Sequence, residues 1–154
     1  MPNPKTTRAE GELVHKLRHA GLRPTRQRIA LAALLFGGGN RHVTPESLHQ
    51  EAMDIGVLVS LATVYNTLHQ FTEAGLLCHG AVDVDHSYFD TNTEPHHHLS
   101  VKNEHLLIDI PGKDISVAGI PPLPAGMIFD GIDIVVRIKR GGTAERNAAG
   151  TNRK

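Results

Sequence analysis

The sequence predicts an α+β fold, an N-terminal winged helix-turn-helix domain followed by a small α/β domain, and three observations carry that expectation. Short amphipathic helical segments punctuated by glycine fill the chain as far as Gly75, and alternation of period two begins at Leu76. Charge also divides the chain: residues 11–43 carry six basic side chains and one acidic, and residues 81–133 carry nine acidic and two basic. Residues 134–154 swing back to six basic and one acidic, so a chain of net charge zero contains modules suited to different partners, one of them anionic.

Each element has its own signal. Leu13, Leu17 and Ala20 predict a helix over 12–20 that Gly21 ends. Thr25 caps a second, with Ile29, Ala32, Ala33 and Phe36 on its inner face and Gly37-Gly38-Gly39 as its stop. Thr44 and Pro45 open a third, whose buried stripe is Leu48, Ala52 and Ile55 and which Gly56 closes. Ser60 caps the fourth, with Leu61, Val64, Leu68 and Phe71 inward and Gly75 at its end. Strands are expected over 76–79 and 82–89, joined tightly at Gly80-Ala81, and then over 96–101, 105–110 and 132–139. Between the last two, Pro121, Pro122 and Pro124 forbid a long helix, leaving irregular backbone with at most one helical turn near 115–118. The expected organisation is a DNA-binding domain over 10–91, a second domain over 92–140, and a disordered tail over 141–154 that has no apolar residue larger than alanine.

Composition excludes several classes. No apolar run approaches the roughly 18 residues of a membrane span, and the N-terminus lacks a signal-peptide core, so a soluble, cytoplasmic protein with no membrane partner is expected. A single cysteine excludes a disulfide scaffold and a multi-cysteine zinc site; Cys78, after Leu76-Leu77, is expected as a buried core thiol. Histidine is abundant, with 11 in the chain.

The fourth helix has the properties of a major-groove reader. Ala62, Thr63, Asn66, His69 and Gln70 face outward with Tyr65 at the border, and none is acidic. Lys16, Arg18, Arg23, Arg26 and Arg28 cluster around the junction of the first two helices, where cations can meet phosphates on either side of the groove. These five, with Ser60, Thr63, Tyr65 and Asn66, are the candidate DNA-binding residues. A two-fold homodimer on a double-stranded DNA operator follows from how such domains read palindromes, with the apolar strand Ile132 to Ile138 as candidate interface.

Val59-Ser60-Leu61-Ala62-Thr63-Val64-Tyr65, followed by Leu68-His69-Gln70-Phe71 and Ala74-Gly75-Leu76, resembles the recognition helix of the ferric uptake regulator (Fur) family. Leu17 to Arg28 resembles the family's opening helix and basic turn, and Arg41 to Leu48 its third-helix entry. The resemblance implies a dimeric winged-helix repressor with a dimerisation and sensing domain, in which Thr63 and Tyr65 touch the groove. Asn66 stands where many members have arginine, which implies a different operator. His42, Asp90 and Asp109 occupy places where Fur-type proteins put sensor ligands, and His42 would couple ion binding to the DNA-binding half.

His96-His97-His98 in a strand puts His96 and His98 on one face and His97 on the other. With His42, Asp90 and Asp109, the first and third make a mixed nitrogen/oxygen set for Fe(II), Mn(II) or Zn(II). Departures from the family matter: the aspartate and later histidine of its HHHDH run are absent, and Val101 and Glu104 stand where its Cys-x-x-Cys pair would be. The structural zinc of many members is therefore not expected. A chain that keeps the triple histidine but loses those ligands resembles the iron response regulator branch, which senses haem, represses haem synthesis and iron-using genes when iron is scarce, and releases DNA on binding haem. His96, His97 and His98 are then the haem candidates, imidazole being the usual axial ligand, with His105 as a further candidate ligand and a haem-delivering enzyme as a candidate partner. The alternative is a direct Fe(II)/Mn(II)-sensing repressor that depends on His42.

Two other classes compete. A hydrolase built on the histidines with Asp90 and Glu94 would need a general base and an open coordination position, but no H-E-x-x-H, G-x-S-x-G or P-loop lysine is present, so the chain is not expected to be an enzyme. A metal or haem store would have no use for the basic N-terminal half and the groove-reading helix.

Overall fold

A computed structural model of the chain describes residues 4–81 and 87–141. It divides into two compact units, Met1–Glu94 and Pro95–Lys154.

The first unit begins with α1 (Pro4–His19), which starts about two turns before the expected 12–20 segment. Arg8 Nε donates to Glu12 Oε1 at 3.3 Å in that added stretch, an exposed i,i+4 pair of the kind that supports a helix locally. Helices α2 (Arg26–Phe36), α3 (Pro45–Asp54) and α4 (Leu61–Glu73) open as the sequence predicts. Thr25 Oγ1 accepts from the Arg28 amide at 3.2 Å, and Ser60 Oγ accepts from the Thr63 amide at 3.1 Å. Thr44 and Ser47 cap α3 reciprocally, each side chain accepting from the other's amide, with Pro45 in the first turn. Gly21, Gly56 and Gly75 follow three of the helices with φ of +77°, +78° and +76°, the left-handed conformation that ends a helix and that glycine adopts without strain.

Leu17, Leu31, Leu35, Leu48, Val64, Leu68 and Phe71 are fully buried in one cluster, and Phe36 stacks on Phe71 with ring centroids 6.2 Å apart. Three details depart from the expected stripes. α2 buries Leu31, Ala32 and Leu35 and exposes Ala33; its sequence is apolar nearly all round, so periodicity could not select the inner face. Ile55 is 61% exposed because it is the C-cap residue, where the chain leaves the helix. Leu61, at the first position of α4, is 37% exposed.

A three-stranded sheet completes the unit in the order β1-β3-β2, from β1 (His42–Val43), β2 (Cys78–Ala81) and β3 (Ser87–Asp90), all antiparallel. Gly80 and Ala81 are not the connection expected of them; they are strand residues paired with Tyr88 and Ser87. A side chain at Gly80 would displace the Tyr88 ring, since a Cβ would lie 2.8 Å from its hydroxyl. The expected strand from Val82 onward is seen only from Ser87; residues 82–86, His86 included, lie outside the described residues. Cys78 is exposed and so is not the core thiol expected; Leu77, immediately before β2, turns inward instead, at 2% exposure.

The second unit is a sheet in the order β5-β4-β6, built from β4 (His96–Val101), β5 (Leu106–Pro111) and β6 (Val135–Ile138). β5 is antiparallel to β4 and β6 parallel to it. The parallel pairing needs a long crossover, which 112–134 supplies. Its helical content among the described residues is one 3₁₀ turn, Gly112–Asp114, earlier than the 115–118 turn expected, so the α part of the expected α/β domain is reduced to that turn. His105 does not begin a strand: with φ of +48°, and Asn103 at +68°, it belongs to the β4–β5 turn. Of the expected tail, residues 142–154 lie outside the described residues. No helix among the described residues is long and apolar enough to cross a membrane.

Candidate nucleic-acid interface and metal ligands

Ser60 starts α4, and its cap fixes the first turn: its hydroxyl is 2.9 Å from that of Thr63, so both candidate groove residues are held by each other. Ala62, Tyr65, Asn66, His69 and Gln70 are exposed along the helix, opposite buried Val64, Thr67, Leu68 and Phe71. The Tyr65 hydroxyl donates to Glu46 Oε1 at 2.7 Å, joining α4 to the first turn of α3. That hydrogen bond is the main reason the Glu46 carboxyl lies below its ordinary value of 4.5 and the Tyr65 phenol above 10.0.

The basic residues divide by what they touch. Arg28 is a brace: its guanidinium donates to the Arg23 carbonyl at 2.8 Å and to Gln70 Oε1 at 2.5 Å, tying α2 and the preceding turn to α4. Lys16 Nζ lies 4.6 Å from the centre of the Phe36 ring, a cation–π contact. Arg26 lines a groove between α1 and α2 with Leu13, Ile29 and Ala33. Arg18 and Arg23 are exposed. Glu46 and Gln70 were not among the expected partners of these residues. An acidic side chain in the first turn of α3 was visible in Thr44-Pro45-Glu46, but pairing it with Tyr65 takes the packing of α3 on α4.

The metal candidates fall in both units. In the first, register places His42 opposite Asp90, with His42 Nε2 3.2 Å from Asp90 Oδ2. Asp90 is 1% exposed and Oδ1 accepts from the Asn92 amide at 2.8 Å. The His42 ring meets the edge of Tyr88 at 5.2 Å. Arg41 holds β1 from behind, pairing with Glu51 of α3.

In the second unit His96 and His98 share one face of β4, their Nε2 atoms 3.0 Å apart, and His98 is paired in register with Asp109 of β5. Asp109 Oδ1 is 3.8 Å from Nε2 of each. The three can offer one ligand atom apiece within 4.8 Å of one another. The donor set of two imidazoles and a carboxylate fits a divalent first-row ion. His97 points to the other face, where register aligns it with Ile110 and sets Leu99 and Val101 beside Ile108, Leu106, Val136 and Ile138. Its Nδ1 is buried without a hydrogen-bond partner among the described residues.

Solved structures share this architecture. The ferric uptake regulator of Pseudomonas aeruginosa with manganese aligns over 82% of this chain and 96% of its own with a TM-score of 0.60 at 24% identity. That of Vibrio cholerae aligns over 82% and 98% with a TM-score of 0.63 at 21% identity. In sequence, the chain is 38% identical over 82 residues to the ferric uptake regulation protein of Shigella flexneri and 37% identical over 82 residues to that of Escherichia coli K12. Each alignment covers 53% of this chain, and the chain spans about half the length of these relatives, 55% in both. The ferric uptake regulator family model matches residues 19–118, and the chain belongs to that family.

Proposed function

We propose that this protein is a metal-responsive, DNA-binding transcription regulator that acts as a homodimer, with α4 reading an operator and the histidine-rich sheet sensing Fe(II) or Mn(II). The observation that carries the sensing half is the His96–His98–Asp109 set, two imidazoles and a carboxylate that β4 and β5 bring together. His42 and Asp90, paired across β1 and β3 in the first unit, are the further candidate ligands of this reading. When bound, the ion supplies charge and fixed ligand angles; the histidines supply neutral nitrogens and the carboxylates balance its charge. Membership of the family supports DNA binding, and the P. aeruginosa relative is known with manganese. Ser60, Thr63, Tyr65 and Asn66 face the groove in this reading, and Arg18, Arg23 and Arg26 meet phosphates, with Lys16 and Arg28 as nearby charges already in contact with Phe36 and Gln70.

A second reading, haem sensing in the manner of the iron response regulators, has one specific observation in its favour. His97 is an imidazole on an otherwise apolar sheet face, with Leu106 at 45% and Ile108 at 44% exposure, the combination of axial ligand and apolar wall that a porphyrin uses. In that reading the regulator represses haem synthesis and iron-using genes at low iron and haem releases it, with a haem-delivering enzyme as upstream partner.

One experiment separates them. Binding of the full chain to an operator selected from a randomised duplex library is followed by fluorescence anisotropy with Mn(II), anaerobic Fe(II) or ferric haem. Direct sensing predicts that Mn(II) or Fe(II) changes affinity and that His98→Ala or His42→Ala abolishes the change. Haem-dependent release that is lost in His97→Ala and retained in His42→Ala supports the second reading, and DNA binding indifferent to all three ligands sinks both.

A further inference from the structure

The exposed face of α4 carries a hydroxyl whose proton is already committed. Tyr65, 38% exposed, donates to Glu46 Oε1 at 2.7 Å, across 19 positions and two helices. The carboxyl lies below its ordinary pKa of 4.5 and the phenol above 10.0, so near neutral pH the sense of the bond is fixed: tyrosine gives and carboxylate accepts. A phenol has one proton. Once that is spent on Glu46, the group has only oxygen lone pairs and an aromatic edge to offer a ligand.

We propose that Glu46 is a specificity-determining positioning residue, which orients Tyr65 and makes it acceptor-only, so that α4 disfavours guanine at the base it faces. The inference rests on the DNA-binding reading above. In the major groove guanine shows two acceptors, N7 and O6, and nothing that can donate. An acceptor-only phenol meets them with lone pair against lone pair. Adenine and cytosine each present an amino donor, and thymine presents a methyl group that packs on an aromatic edge. Phosphate oxygens are likewise acceptors, so the bond to Glu46 also keeps Tyr65 from acting as a sequence-blind phosphate contact. The same carboxylate repels the DNA backbone, so its presence on this face weakens binding unless it earns selectivity.

The test uses the full-chain protein and a randomised duplex library, comparing wild type with Glu46→Gln, Glu46→Ala and Glu46→Ala/Tyr65→Phe. Glutamine and alanine both remove the charge, so both should tighten binding to random DNA alike; only glutamine keeps an oxygen that can accept the phenol proton. The expected result is that Glu46→Gln retains the wild-type base profile. Glu46→Ala should raise the acceptance of guanine at one position of each half-site by roughly fivefold, the value of about one hydrogen bond. The double variant should lose that gain, since phenylalanine has no proton to donate. Identical base profiles for wild type and Glu46→Ala, or equal relaxation by glutamine and alanine, would overturn the inference while leaving DNA binding in place. A wild-type protein that selects no sequence at all would remove the DNA-binding reading and this inference together.

Discussion

Arg41 and Glu51 meet in a two-pronged ion pair, with Nη1 donating to Oε2 at 2.9 Å and Nη2 to Oε1 at 2.5 Å. Nη1 also donates to the Leu34 carbonyl at 3.2 Å, so one guanidinium joins α2, the start of β1 and α3. The Arg41 backbone is tied too, its amide donating to Thr91 Oγ1 at 2.8 Å. His42 is the next residue, and its position opposite Asp90 is set by this anchorage.

Arg41→Ala should therefore destabilise the first unit by about 1–2 kcal/mol, more than an ordinary surface pair, because a fork and a carbonyl bond are lost together. Arg41→Lys should recover only part, since an ammonium cannot bond both carboxylate oxygens in a plane. Urea unfolding midpoints of the two variants and wild type measure this, and equal midpoints for arginine and alanine would show the pair to be inert.

The Glu46–Tyr65 bond gives stability a defined pH window. Glu46 has a folded pKa lowered from 4.5, so its contribution is present above the unfolded value and is lost as pH falls through the folded one. Tyr65 is raised from 10.0, so its contribution is full below that value and is lost as pH rises through the folded one. A double-mutant cycle with Glu46→Ala and Tyr65→Phe should show a coupling that is flat between about pH 5 and pH 9 and fades at both ends. Glu104, lowered by the fork from Arg140, acts on the acid limb of overall stability and cancels in this cycle. A coupling that did not fade on acidification would contradict the assignment of the acceptor.

Cys78 illustrates what a sequence pattern leaves undetermined. Leu76-Leu77-Cys78 is apolar throughout, so one parity would bury Leu76 and Cys78 and the other Leu77; the structure puts Leu77 in the core and leaves the thiol outside. The native protein should therefore react with a thiol reagent such as dithionitrobenzoate without first unfolding. Cys78→Ser should change stability by less than about 0.5 kcal/mol. Protection of the thiol until global unfolding would return it to the core.

The capped helices were legible because their signals are local. Thr25, Thr44 and Ser60 each bond an amide three residues on, a relationship contained in the sequence interval itself. The same holds for His96 and His98, whose shared face follows from strand parity. What was not legible depends on distant packing. The inner face of α2 is chosen by the neighbours of Leu31 and Leu35, and β1 is two residues long, too short for any alternation to announce it. Glu46 and Arg28 could be seen as charges, whereas their bonds to Tyr65 and Gln70 span 19 and 42 positions.

The apolar face of the second sheet carries the last prediction. Leu106, Ile108, Val136 and Ile138 lie on the same face by register and are 45%, 44%, 38% and 39% exposed. Four such side chains together form a patch that a lone chain would leave in water, at a cost of about 25 cal/mol for each Å². A second copy covering it is the homodimer proposed above, and the central position is Ile108, paired with Leu99 of β4. Ile108→Asp should then shift the protein from dimer to monomer in sedimentation velocity at micromolar concentration, because an unpaired carboxylate cannot be buried in an apolar contact. Leu123→Asp, also exposed at 47% but in the irregular crossover, serves as the control for added charge. If both variants sediment as wild type does, the dimer uses another surface.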